Sequence, residues 1–178
     1  MQHQSEAYKN ATISKTLTLL TQTKILQTAS IDIKKEITGQ QNLSHFIPGI
    51  GVDDLVNSSL FGGNMTLDME GRVNAGLRLE GLSTGNISIQ NGSVVLQIPA
   101  PQVLGTQVIE SRRLAPALSL TQADKLLEQQ LKTKIQESIL ADALSSGLID
   151  QAKQNTLATL QKLLSRINIK LKSVSFTQ

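Results

Sequence analysis

Met65-Thr66-Leu67-Asp68-Met69-Glu70-Gly71-Arg72-Val73-Asn74-Ala75-Gly76-Leu77-Arg78-Leu79 is the stretch on which the fold of this chain turns. Every odd position in it is apolar or small, and every even position from Thr66 to Glu80 is polar, charged or Gly76. Successive side chains on a strand point to opposite faces, so the pattern describes one dry face and one wet face. The parity never flips, whereas a two-residue hairpin turn would pair residues of opposite parity. The stretch therefore reads as one strand, longer than usual and bent or bulged at its glycines.

Such a sheet needs a core. The chain has 178 residues, of which 39% are hydrophobic and 17% charged, and a mean hydropathy of -0.07. Those values describe one globular domain rather than a disordered or fibrous chain. Its aromatic residues are Tyr8, Phe46, Phe61 and Phe176, so Leu, Ile, Val, Ala and Met must fill the core. So few rings also argue against a stacking platform for single-stranded nucleic acid. Cysteine is absent, which excludes disulfides and thiolate metal sites and leaves the compartment open.

The net charge of +3 is unevenly placed: residues 1–49 carry five Lys/Arg against three acids, residues 50–110 two against six, and residues 111–178 ten against five. No run of four basic residues occurs. A solvated surface that pairs within the fold explains this balance better than a nucleic-acid footprint. No stretch reaches the roughly eighteen apolar residues of a bilayer span, and the polar opening Met1–Asn10 lacks a signal-peptide core. The chain reads as soluble, and a role outside the cytoplasm would require an anchor or signal beyond it.

On the N-terminal side of the central strand, residues 1–10 read as a flexible lead-in to a domain spanning 11–178. Ile13, Leu17 and Leu20 recur at helical spacing between Ala11 and Lys24, despite many threonines. Ile25, Ala29, Ile31, Ile33 and Ile37 then alternate with polar residues as a first strand, with Lys35 the exception on its apolar side and Gly39 its end. In the turn-rich segment Gln40–Asn64, Val52–Phe61 could form a short helix with Asp53 and Asp54 near its N-terminus.

On the C-terminal side, Asn91-Gly92 predicts a two-residue turn pairing Gln90 with Ser93, Ile89 with Val94 and Ile87 with Leu96, which brings both apolar sets to one face. Pro99 and Pro101 stop that strand, and Val103–Ile109 returns as another. A helix is predicted from Thr121, with Asp124 as a short-armed capping box, to about Ser145, where Gly147 stops it. Its row Leu127, Leu131, Ile135, Ile139 and Ala143 winds slowly round the rod. A second helix, about Leu148–Arg166, gathers Ile149, Ala152, Thr156, Leu160, Leu163, Leu164 and Ile167 on one face and should lie on the dry face of the central sheet. Ile167, Ile169 and Leu171 open a last strand that continues through Val174 and Phe176 after a bulge. The fold class is α+β: an antiparallel sheet around strand 65–79, a C-terminal helix pair on its apolar face, and the last strand at an edge.

Three of these segments carry a resemblance: Phe61-Gly62-Gly63-Asn64-Met65-Thr66-Leu67, Gly71-Arg72-Val73-Asn74-Ala75-Gly76-Leu77-Arg78-Leu79, and Val94-Val95-Leu96-Gln97-Ile98-Pro99-Ala100-Pro101-Gln102-Val103-Leu104. Together with the helices between Ala123 and Leu164, the chain resembles the bacterial domain-of-unknown-function family DUF4230 over about residues 60–176. Arg78 stands where that family usually has Asp, Ile98 replaces Leu and Gln102 replaces Glu, so two acids open to suspicion of chemistry are missing. The resemblance implies a domain outside the cytoplasm, tethered by an N-terminal membrane anchor that this chain lacks. It carries no activity and no site residues.

The residues themselves offer few alternatives. His45, the one histidine inside the predicted domain, has no cysteine or carboxylate cluster beside it and reads as a loop residue. Asp53-Asp54 lacks the spaced acids of a calcium loop. Asp68 and Glu70 lie two apart on the wet face, with Glu80 farther along; paired carboxylates can do acid–base work if they flank a cleft, but Arg72 and Arg78 on the same face suggest solvated ion pairs. Gly62, Gly63, Gly71 and Gly76 do not fit a phosphate loop and read as strand bends. The Asn-x-Ser/Thr triplets at Asn10, Asn42, Asn57, Asn64, Asn86 and Asn91 are expected by chance. No catalytic, cofactor or metal site is predicted. The expected role is a non-catalytic interaction domain with a protein partner at the cell envelope. The alternative is a module holding a lipid or other apolar ligand between sheet and helices.

Overall fold

A computed structural model of the protein describes residues 2–40, 64–114 and 122–177. Its helices are α1 (Gln2–Thr23), α2 (Gln122–Ser145) and α3 (Leu148–Ser165). Its strands are β1 (Ile25–Gln40), β2 (Asn64–Arg78), β3 (Ile87–Gln90), β4 (Ser93–Pro99), β5 (Gln102–Arg113) and β6 (Leu171–Thr177). The fold is α+β, with the strands in two sheets of order β1-β2-β5 and β3-β4-β6 rather than in one. The described residues gather into two compact units: Met1–Ile31, Val73–Gly105 and Leu144–Gln178 form the first, Asp32–Arg72 and Thr106–Ala143 the second. The stretch 11–178 thus supplies both, and α1 begins within the segment read as a lead-in.

In the first unit, α1 tolerates its threonines because their hydroxyls donate back to carbonyls in the preceding turn: Thr12 to Tyr8, Thr16 to Thr12, Thr21 to Leu17 and Thr23 to Leu19. Lys24, at φ 56°, ends the helix. The Asn91-Gly92 turn has positive φ at both residues, 51° and 75°, as a two-residue hairpin of matching twist requires. Its register is the expected one, with Ile87 opposite Leu96 and Ile89 opposite Val94.

The last strand departs from expectation. β6 pairs parallel with β4, in the second sheet and not at an edge of the central one. The expected bulge is present: Val94 lies opposite Leu171 but Val95 opposite Ser173, leaving Lys172 as the extra residue. β6 starts at Leu171 because Asn168, at φ 57°, turns the chain out of α3, and the N–H of Ile169 reaches back to the Leu164 carbonyl. Ile167 and Ile169 thus belong to a helix cap, with both side chains against the core.

That core joins Leu160, Leu163 and Leu164 of α3 to Leu77 and Leu79 at the end of the central strand, Leu20 of α1, and Val94, Leu96, Ile98 and Leu171 of the second sheet. Helix α3 therefore shares its apolar face between the two sheets. Gly147, at φ 80°, separates α2 from α3 as predicted.

In the second unit β2 runs antiparallel to β1, since Thr38 meets Thr66, Lys34 meets Glu70 and Asp32 meets Arg72. On the dry face Met65 and Leu67 pack with Leu131 of α2. At Gly71 an added Cβ would lie 3.0 Å from Ile139, so this glycine admits the helix rather than bending the strand. The predicted row of α2 is buried at Leu131, Ile135, Ile139 and Ala143. The helix predicted over Val52–Phe61, His45, Asp53, Asp54 and the Thr121–Asp124 capping box lie outside the residues and side chains described.

Candidate functional surface

The wet face of β2 carries Asp68 and Glu70, the carboxylates that the sequence reads as members of solvated ion pairs. In the second unit it forms a ladder of charges across strands. Arg72 on β2 donates both Nε and Nη2 to the two carboxylate oxygens of Asp32 on β1, each at 2.7 Å. Lys34 on β1 sits 3.0 Å from Glu70 on β2. Beyond them the Thr38 and Thr66 hydroxyls are 2.9 Å apart, and on β5 Arg112 reaches Glu110 at 2.6 Å. Alternating polar positions at strand spacing bring these groups level with one another.

The electrostatics follow from the pairing. Hydrogen bonding to Arg72 holds the Asp32 carboxyl below its usual value; desolvation opposes this and the guanidinium charge adds to it. Arg72 is raised in return. Lys34 is raised by its hydrogen bond and attraction to Glu70, with Asp68 and Glu110 adding to the field. Glu70 and Asp68, the pair suspected of acid–base work, thus face a lysine. Glu70 bonds it directly.

Three more ion pairs lie off this face, two of them sharing Glu128. Lys35, the exception on the apolar side of β1, is half-buried and satisfied by Asp142 of α2. Glu128 on α2 accepts from Lys132 one turn on and from Arg113 at the end of β5. Those bonds, Lys132 first, hold its carboxyl below the usual range against partial desolvation. Lys35–Asp142 and Arg113–Glu128 were not legible in the sequence because each joins residues whose meeting depends on tertiary packing.

Among the described residues no group of three or more His, Cys, Asp or Glu could hold a metal ion. No described helix is long and apolar enough to cross a membrane. Asn86 accepts hydrogen bonds at its amide oxygen from the backbone and hydroxyl of Ser83, and Asn91 occupies the hairpin turn.

The sequence pattern of a protein of unknown function, DUF4230, matches residues 20–175. The chain belongs to DUF4230. The match starts at Leu20 rather than near Leu60, so the end of α1 and all of β1 are part of what this DUF4230 chain shares with its family. No curated protein and no solved structure matches it.

Proposed function

We propose that this DUF4230 chain is a non-catalytic, extracytoplasmic domain of a membrane-anchored bacterial protein, and that it binds a protein partner at the cell envelope. The observation that carries the non-catalytic half is the charge ladder. A general acid must hold its proton near neutral pH, which requires a carboxyl pushed upward. Asp32 is instead held down by Arg72, and Glu70 is bonded to Lys34. The envelope half rests on the resemblance described above.

This chain has no cysteine, so a thiol introduced at exposed Ser88 reports on this domain against the unsubstituted protein as control. Ser88→Cys in the full-length protein should react with a membrane-impermeant maleimide in intact cells, and photocrosslinking in those cells should trap a protein partner. Labelling only after lysis would refute the location. A catalytic turnover abolished by Asp68→Asn with Glu70→Gln, at unchanged stability, would refute the non-catalytic role.

A further inference from the structure

β5 is an outer strand of the β1-β2-β5 sheet, and among the described residues no strand lies beyond it. An outer strand leaves a row of backbone N–H and C=O groups open to another chain, which proteins usually blunt with charges or proline. The opposite edge, β1, carries Asp32, Lys34, Lys35 and Glu36. β5 has neither charge nor proline from Gln102 to Ile109, and beyond these it carries Glu110, Arg112 and Arg113. Val108, Ile109 and Leu114 are 44%, 48% and 49% exposed, and the first two, being adjacent, point to opposite faces of the strand.

We propose that residues 108–114 are a self-pairing edge, at which a second copy of this chain adds an antiparallel strand with its two-fold axis at Ser111. The occupant is read from the sequence Val108-Ile109-Glu110-Ser111-Arg112-Arg113-Leu114. Reversed about Ser111, it sets Glu110 opposite Arg112 twice and Val108 opposite Leu114 twice. Each acid meets a base, exposed Val108 meets exposed Leu114, and Ile109 lies opposite Arg113. Sliding the axis to Glu110 or Arg112 would instead set like charges face to face, at a cost.

The backbone permits the same register. The N–H of Leu114 is donated inward to Thr66 of β2, so the alternation of the strand turns Arg113 and Ser111 outward. An antiparallel pair requires outward residues opposite outward residues, which an axis on Ser111, Glu110 or Arg112 satisfies and an axis between two residues does not, so the charges decide among the three. A seven-residue strand pair is smaller than a standard interface, so the dimer is weak and forms at high concentration. This self-association goes beyond the proposed role and does not depend on it.

The test is sedimentation equilibrium of the full chain over a range reaching millimolar concentration, together with charge and cysteine variants. The wild type should show a monomer–dimer equilibrium. Glu110→Arg should weaken it by about tenfold, since two attractive pairs become repulsive, and adding Arg112→Glu should restore it. Ser111→Cys should form a disulfide-linked dimer on mild oxidation much faster than Ser88→Cys, because facing residues of an outward pair lie about 5.5 Å apart at Cα, within disulfide reach. A chain monomeric throughout, a dimer indifferent to Glu110→Arg, a double variant that fails to restore pairing, or a Ser111→Cys chain that crosslinks no faster than the Ser88→Cys chain would each overturn the proposal.

Discussion

The two units are held together internally by different means. The first buries Leu20, Leu77, Leu79, Val94, Leu96, Ile98, Leu160 and Leu164 completely, and its described ion pair is Lys153–Asp150 at 3.7 Å on an exposed helix face. The second has Met65, Leu67, Met69, Leu131, Ile135 and Ile139 under its sheet but carries Lys34–Glu70, Lys35–Asp142, Arg72–Asp32, Arg112–Glu110 and the Arg113–Glu128–Lys132 cluster. Apolar burial depends little on pH or salt, while exposed ion pairs are screened by salt and lost on titration. The two regions should therefore fail under different conditions.

The largest effect is expected in the first unit. Leu164→Ala removes a fully buried side chain and should cost about 2–5 kcal/mol in urea denaturation. Gly76→Ala comes next. Its Cβ would run into the Leu26 carbonyl oxygen and lie 2.9 Å from the Gln27 Cα, backbone that cannot swing aside, so a cost at or above the ~1–3 kcal/mol of overpacking is expected. Gly105→Ala is its control: a Cβ there meets nothing within 4 Å, and its melting temperature should stay near that of the wild type.

In the second unit the expected lever is pH. Asp32 and Glu128 are held below their ordinary carboxyl values in the folded chain. Their contribution is complete above the unfolded value, about 4, and is lost as pH falls through the lower folded values. Lys34, which is raised, behaves in the opposite sense: its contribution is complete below about 10.4 and is lost as pH rises through the folded value. Thermal melts from pH 7 to pH 2 should lose stability at the acid end, and Asp32→Asn with Glu128→Gln should flatten that loss.

The smallest effect is expected at Lys35. Its position on the apolar side of β1 looks like a liability, but its pair with Asp142 is half-exposed. Lys35→Met should change stability by less than about 1 kcal/mol.

Which features were legible in the sequence follows from how local their causes are. The parity of Met65–Leu79, the Asn91-Gly92 turn with its register, the α2 row and the stop at Gly147 each depend on neighbouring residues and can be read directly. The partner of β6 could not be read, because parallel pairing with β4 joins segments that no local turn connects. The Asp32–Arg72 and Lys34–Glu70 pairs require the register of β1 on β2, which the intervening residues do not reveal. Asn168 was a missed signal: an asparagine just past a helix favours the left-handed cap it adopts, and it should have moved the strand start beyond Ile169.

Hydrogen exchange followed by mass spectrometry at pH 7 and pH 3, corrected for intrinsic exchange rates, tests most directly whether the acids of the second unit are structural. Protection in residues 32–38, 65–72, 106–113 and 125–143 should fall at pH 3 while 87–98 and 148–164 stay protected. Equal loss in both sets, or earlier loss in the second set, would contradict the account.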